Sequence, residues 1–406
     1  MKRNLKKLFL TAILAFAFCA TASQCYAWHH EKKITPIINR LAFDLLRDKE
    51  ISPSGENVLF SPYSFANPMA ALYLGSDGDT KREFEKSFSF DGWTMDEIKE
   101  LKEDLVTNME GSEWTDVGRV FANKVKKVNL LYSFKDHLAH YLQMDIELLD
   151  FSDSEESCRA INSWISDATC GMIEQMLQKE DITPSTGMVL VNTVHFKAPW
   201  QDKFEERDTQ ELYFHSEGKK QKIPFLTKDF NSLAYYEDES LTAISVPYQW
   251  RGTDFMVILP KAKNNKPQNL EKFLATMTEK KFARICDKLR GAKVQVAFPR
   301  FKAKNRSDLT PFAASRVPSA TNIATADFSC ITGKKDYFVG RVLQEAVMEV
   351  TEEGTEASAA TTVQMLSMCG SARDKKFFTA DRPFLYLVYD TKTGAILFCG
   401  KFEKGE

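Results

Sequence analysis

The sequence lacks the short motifs that announce enzyme chemistry. Its 406 residues contain no Gly-x-Ser-x-Gly nucleophile elbow, no His-Glu-x-x-His helix, no phosphate-cradling Gly-x-x-x-x-Gly-Lys-Ser/Thr loop and no Gly-x-Gly-x-x-Gly turn. Serine hydrolases, zinc proteases, nucleotidases and dinucleotide enzymes therefore have no local support. No two of the eight Cys stand as Cys-x-x-Cys, which argues against a zinc site and against a small disulfide framework. The six His form no spaced cluster. His29 and His30 fall near the start of the expected mature chain, where a loose tail is expected. His137 and His140 lie in an amphipathic stretch, where a surface or core role is expected rather than metal ligation. A lone Cys with a distant His could serve a cysteine hydrolase, but nothing local supports one. There is no internal repeat, no low-complexity tract and no Pro/Gly/Ser-rich linker, hence no evident domain boundary.

Charge of one sign is also missing: 54 basic residues face 56 acidic ones. The first 27 residues differ from the rest, with Lys2, Arg3, Lys6 and Lys7 ahead of the apolar run Leu8 to Ala20 and small residues before Ala27. That pattern reads as a signal peptide. The run, about 13 residues, is too short for a bilayer-spanning helix of about 20, and no second candidate span follows, so no membrane role is expected. Cleavage is expected after Ala27 or, as second choice, Ala22. Removing four basic residues from 54 leaves 50 against 56 acidic, a formal net charge of −6. A nucleic-acid partner is not expected. The densest basic cluster, Lys124-Val125-Lys126-Lys127, reads as a solvated face. Six Cys remain: Cys158, Cys170, Cys286, Cys330, Cys369 and Cys399.

What is present is a large core and two periodicities. Apolar residues make up 43% of the chain, enough for a sizeable interior. Ile34, Ile37, Ile38, Leu41, Leu45 and Leu46 recur at helical spacing, and Ile161, Trp164, Ile165, Ala168, Ile173 and Leu177 predict a second helix. Strand-like runs dominate later, at residues 187–196, 242–248, 254–260, 293–301 and in the closing pair FLYLVYD and AILFCGKF. Long strands interleaved irregularly with helices predict an α+β fold.

One stretch fits neither pattern. After the strand-like Ala346-Val347-Met348-Glu349-Val350 comes EEGTEASAATT, in which residues 355–362 hold nothing bulkier than one Glu. If this segment is extended, Thr355, Ala357, Ala359, Thr361 and Val363 share one face, all small or β-branched, while Glu356 points the other way. Such a face can enter a formed sheet without overpacking the core beneath. Gly354 supplies the backbone freedom for a bend before it.

The chain resembles the serpin family from about residue 35 to 404. The blocks that carry the resemblance run in order: VLFSPYSFANPMAALYLGSDGDTKREF (58–84), INSWISDATCGMIEQML (161–177), LVNTVHFKAPWQDKF (190–204), SVPYQW with FMVILP, ADFSCI, and DRPFLYLVYDTKTGAILFCGKF. The third follows the family's Asn-Ala-x-x-Phe-Lys-Gly-x-Trp pattern with Thr193 and Ala198 as departures. The resemblance implies a single serpin domain over residues 28–406 with three β-sheets, about nine helices and an exposed reactive-centre loop at about 352–376. It implies a hinge at Glu352, Gly354, Thr355, Ala357, Ala359 and Ala360. It further implies a sheet-opening region at Ser61, Ser64, Asn192 and Gln344. There the family usually has His-Lys-Ala where this chain reads Gln344-Glu345-Ala346; Gln344 can donate and accept but cannot titrate near neutral pH. In the family the scissile residue is usually the seventeenth counted from the hinge Glu, which gives the bond Met368 to Cys369. Met368, with Met365 and Leu366 upstream, suits an apolar primary pocket. The implied activity is that of a secreted, monomeric suicide inhibitor of a chymotrypsin-like or elastase-like serine protease, needing no cofactor. Papain-like cysteine proteases are a second target class, and a non-inhibitory binding or carrier role is the alternative.

Overall fold

The computed structural model describes residues 34–90, 96–97, 99–100, 103, 113–124, 129–169, 171, 173–216, 218–249, 252–262, 269–355 and 375–405. The expected leader and the loop positions Ala357, Ala359, Ala360, Met368 and Cys369 lie outside these residues, as does Cys170.

Among the described residues fifteen strands form two hydrogen-bonded sheets. In chain order they are β1 Val58–Phe60, β2 Glu113–Asn123, β3 Asp145–Leu149, β4 Met188–Pro199, β5 Gln210–Ser216, β6 Lys219–Glu237, β7 Leu241–Pro247, β8 Thr253–Pro260, β9 Arg290–Pro299, β10 Phe301–Asp308, β11 Val339–Val350, β12 Gly354–Thr355, β13 Lys376–Thr379, β14 Phe384–Asp390 and β15 Ile396–Phe402. The six-stranded sheet has the order β10-β11-β12-β4-β2-β3, with β11 also pairing β4 directly. The remaining nine strands form a second network that runs β1-β15-β14-β8-β7-β6-β9-β13, with β5 on β6. Three sheets were expected. Two of them are fused here because β6 is 19 residues long. Its first residues pair β5 and its last pair β7, while β9 pairs it from Phe225 to Tyr235 with a register shift between Phe230 and Leu233.

Ten α-helical segments occur among the described residues, and none is long and apolar enough to cross a membrane. The first, Ile34–Arg47, buries Ile34, Ile38, Leu41, Leu45 and Leu46 as their spacing predicts. The helix Pro62–Gly75 is capped by Ser61, whose Oγ accepts the Ser64 amide at 3.2 Å, and Pro62 occupies the first turn, where no amide donor is needed. The second sequence-predicted helix ends sooner than its periodicity indicates, at Ala168. Thr169 stops it: its Oγ1 donates to the Ile165 carbonyl and accepts the Ile173 amide. Gly171 then turns at φ +79°. Ile173 and Leu177 keep their burial in a non-helical crossing. The run at 293–301 likewise divides, breaking at Arg300 into β9 and β10. His137 and His140 are both exposed.

Every residue of β8 is buried, including one acid. Asp254 accepts a 2.7 Å hydrogen bond from Ser245 Oγ, which also lies 2.9 Å from the Tyr389 hydroxyl. Burial outweighs that bond and pushes the Asp254 carboxyl up to about 6. Because an unfolded Asp titrates near 3.9, the folded chain holds a proton that the unfolded chain has lost throughout the window between the two values. Stability should therefore fall as pH rises from about 4 to 6 and stay lower above it, by on the order of 3 kcal/mol. Asp254→Asn keeps an acceptor for Ser245 without the charge. It should raise the thermal midpoint at pH 7.5 and leave that at pH 4.5 nearly unchanged, measured at one scan rate. Equal shifts at both values would remove the charge as the cause.

Candidate functional site

At the end of β11 the chain reverses within four residues. Thr351 closes the turn, its amide and hydroxyl both donating to the Gly354 carbonyl at 2.8 and 2.9 Å. Gly354 has φ +152°, and a Cβ there would lie 2.3 Å from the Ala198 carbonyl oxygen and 2.5 Å from the Pro199 Cα. Both the dihedral and the space demand glycine. The returning residues form β12, which runs antiparallel to β11 through Val350 and Thr355, and antiparallel to β4 through Gly354 with Pro199 and Thr355 with Ala198. Gly354 and the first of the small residues, Thr355, thus already form a strand between β11 and β4.

The surrounding contacts hold this entry point. Trp200 donates its indole N–H to the Thr351 carbonyl at 2.8 Å and its amide to Glu353 at 3.0 Å. Its ring stacks on Tyr248 at 4.7 Å. Thr355 is fully buried, with its Oγ1 2.8 Å from the Tyr248 hydroxyl. Glu352, also buried, accepts from Thr209 Oγ1 at 2.7 Å and from Arg300 at 3.2 Å. Lys203 pairs with Glu353.

Below β12 the two flanking strands pair directly. Eight parallel pairs join β11 to β4, from Val339 with Met188 to Val347 with His195. Continued in its own direction, β12 would run down this seam, and those pairs would have to part. Halfway along sits a buried polar cluster that joins the seam to the helix Pro62–Gly75. The Gln344 amide makes two 3.0 Å bonds to the Ser61 backbone, accepting its N–H and donating to its carbonyl. It also donates to Asn192 Oδ1 at 3.3 Å. Ser64 Oγ lies 2.6 Å from the same oxygen and against Asp116 Oδ1. Asn192 donates to Asp116 at 3.2 Å, as does Asn67. The four sequence-predicted residues of this region therefore meet in one network, and Gln344 contributes a neutral group that both donates and accepts.

Sequence reasoning passed over the hub of that network, Asp116, and the aromatic pair Trp200 and Tyr248. The available signal for Asp116 was an acid between Thr115 and Val117 in the strand-like stretch EWTDVGRVFAN. Trp200 stood inside a quoted motif but carried no assigned role.

Comparison of the whole chain with known proteins bears on this arrangement. The serpin family, described as serine protease inhibitors, matches residues 36–404. The chain belongs to the serpin family. Human serpin B8 is 31% identical over 373 residues, covering 89% of this chain and 96% of that protein. Human leukocyte elastase inhibitor is 30% identical over 375 residues, covering 90% and 97%. The fold agrees with solved serpins. The thermophilic serpin tengpin in its native state superposes with a TM-score of 0.78 at 26% identity over 92% of this chain and 95% of that one. Maspin gives 0.81 at 22% identity over 92% and 99%.

As a serpin the chain is an inhibitor-family protein and not an enzyme. Cys158, Cys286 and Cys399 are buried, and burial pushes each thiol up, away from the reactive thiolate. Among the described residues no group of three or more metal-ligating side chains assembles.

Proposed function

We propose that this serpin is a secreted suicide-substrate inhibitor of chymotrypsin-like or elastase-like serine proteases. The observation that carries the reading is β12: the hinge has begun a strand that the following small residues can extend. A protease serine attacks the Met368 to Cys369 peptide bond, forming an ester to Met368 and releasing the Cys369 amine. The freed segment then lengthens β12 down the seam and drags the acylated protease with it before water can cleave the ester. Adding roughly ten strand residues at about 0.5 to 1.5 kcal/mol net per hydrogen bond gives on the order of 10 kcal/mol, comparable to the whole stability of an ordinary domain, about 5 to 15 kcal/mol. The similarity to an elastase inhibitor and the apolar bait support the target class. The basic, then apolar, then small-residue N-terminal segment supports secretion.

Incubation with chymotrypsin, pancreatic elastase, trypsin and papain, followed by denaturing gel electrophoresis, tests this directly. A band at the summed mass of inhibitor and protease is expected with the first two. Complete cleavage with no such band for any protease would leave the chain a substrate and overturn the reading.

A further inference from the structure

The seam that must open is covered on one face. After the helix Ser154–Ala168 the chain crosses the sheet as a strap, residues 173–182, before entering β4. Ile173, Met176, Leu177 and Ile182 of the strap are buried in a cluster that includes Val189 and Val191 of β4 and Leu343 of β11, with Val347 packed against it. The strap thus bears on both sides of the seam, and parting the seam disturbs it. Asn162 of the helix fixes the strap locally, accepting the Met176 and Leu177 amides at 3.0 and 2.9 Å and donating to the Leu177 carbonyl at 2.9 Å. Those bonds stay within the helix and strap and need not break when the strands separate.

One cation ties the strap to the opposite side. Arg306 of β10 donates through Nε to the Met176 carbonyl and through its terminal nitrogen to the Asp181 carboxylate. Asp181 is mostly buried, and its Oδ2 also accepts the Gln178 amide at 2.9 Å, which holds the carboxylate in place. Strand β10 is joined to β11 along its whole length, from Phe301 with Val350 to Asp308 with Leu343, so it moves with β11. The strap runs into β4 and moves with the other half. The Arg306 link therefore spans the seam, fastening the half that carries the hinge to the roof attached to the other half. A guanidinium making two charge-assisted bonds, one to a fixed carboxylate, suits a fastening that holds in the closed sheet and is lost as the halves separate.

We propose that Arg306 is a latch whose pairing with the strap sets the rate at which the seam admits a strand. This rests on the insertion mechanism proposed above. The test is uptake of a blocked synthetic peptide, TEASAATTVQML, by the mature chain, followed as a mobility shift on native gels. Uptake needs the seam to open but needs no protease. Arg306→Ala should take up peptide about tenfold faster than the parent, the change that ~1.4 kcal/mol off a barrier produces. Arg306→Lys, which keeps the charge but not the fork, should fall between. Arg306→Ala combined with Asp181→Asn should be no faster than Arg306→Ala alone, as for two partners in one interaction. The control is Arg341→Ala, which breaks the 2.7 Å pair with Asp308 on the same two strands without touching the strap. A parent that takes up no peptide removes the insertion reading and the latch together. Uptake by the parent with no acceleration in Arg306→Ala overturns the latch alone. Equal acceleration in Arg341→Ala also overturns it, by showing a general loss of sheet stability.

Discussion

Thr355→Arg should convert the inhibitor into a substrate. Thr355 has no exposed surface, its hydroxyl is engaged by Tyr248, and Tyr248 is itself stacked on Trp200 and edge-on to Phe196. An arginine there would need a cavity that these rings already fill, and its guanidinium would find no carboxylate among those contacts. Burying an unpaired charge costs about 3 to 5 kcal/mol even after relaxation, so the side chain should stay in solvent and hold β12 out of the sheet. Inhibition is a race between strand insertion and hydrolysis of the acyl-enzyme. At 1.36 kcal/mol per tenfold change in rate, the ratio of trapped to hydrolysed product should fall by about 10²-fold or more. On denaturing gels the complex band should vanish while the cleaved band appears at a normal rate. Thr355→Val is the matched control. It keeps the shape and loses only the hydroxyl bond, worth about 1 kcal/mol, and should still trap. A normal yield of complex from Thr355→Arg would mean that Thr355 does not face inward during insertion, and the register inferred from β12 would be wrong.

How much of this was legible beforehand depended on whether the signal was local. The alternation of small residues after Gly354 is a period-two pattern, and Thr355 does face inward as that pattern requires. The first helix was legible because one face of it meets the core along its whole length. The polar network was legible in part because Ser61, Ser64, Asn192 and Gln344 sit in quoted blocks with a family role. Asp116 was not, since an acid in a strand looks the same whether it points to water or to three buried donors; only the apposition of β2, β4 and the helix Pro62–Gly75 distinguishes the two. The same limit hid Arg306. In KAKNRSD it reads as one cation among several on an exposed edge, and its partners, Met176 and Asp181, lie more than a hundred residues away in sequence. The helix that stopped early failed for another reason. The apolar period persists through Ile173 and Leu177 because both face the sheet, yet Thr169 and Gly171 end the helical backbone, so burial continued after the helix did.

The second large effect expected is a change of target. Met368→Arg should move inhibition from chymotrypsin-like and elastase-like enzymes to trypsin-like ones. The bait is set by counting from Glu352, and the structure gives that origin a fixed position: Glu352 is held by Thr209 and Arg300 at the mouth of the seam. An unbranched apolar side chain such as Met fills a hydrophobic primary pocket but leaves the carboxylate at the base of a trypsin-like pocket without a partner. A guanidinium supplies that partner in a charge-assisted, two-pronged contact and is rejected by the apolar pocket, where its charge would be stranded. Sites built around such polar contacts discriminate by large factors, so the association rate with trypsin should rise by ~10³-fold or more, with a comparable fall for chymotrypsin. Trapping should survive, because position 368 lies beyond the segment whose small residues enter the seam, and the denaturant-resistant complex should form with the new enzyme in ordinary yield. The peptide released on denaturing the complex reports the bond directly. N-terminal sequencing should begin at Cys369 in both the parent with chymotrypsin and the variant with trypsin. A fragment beginning at Asp374 would instead identify Arg373 as the bait, and a parent chain that already traps trypsin through that bond would remove Met368 from the reactive position.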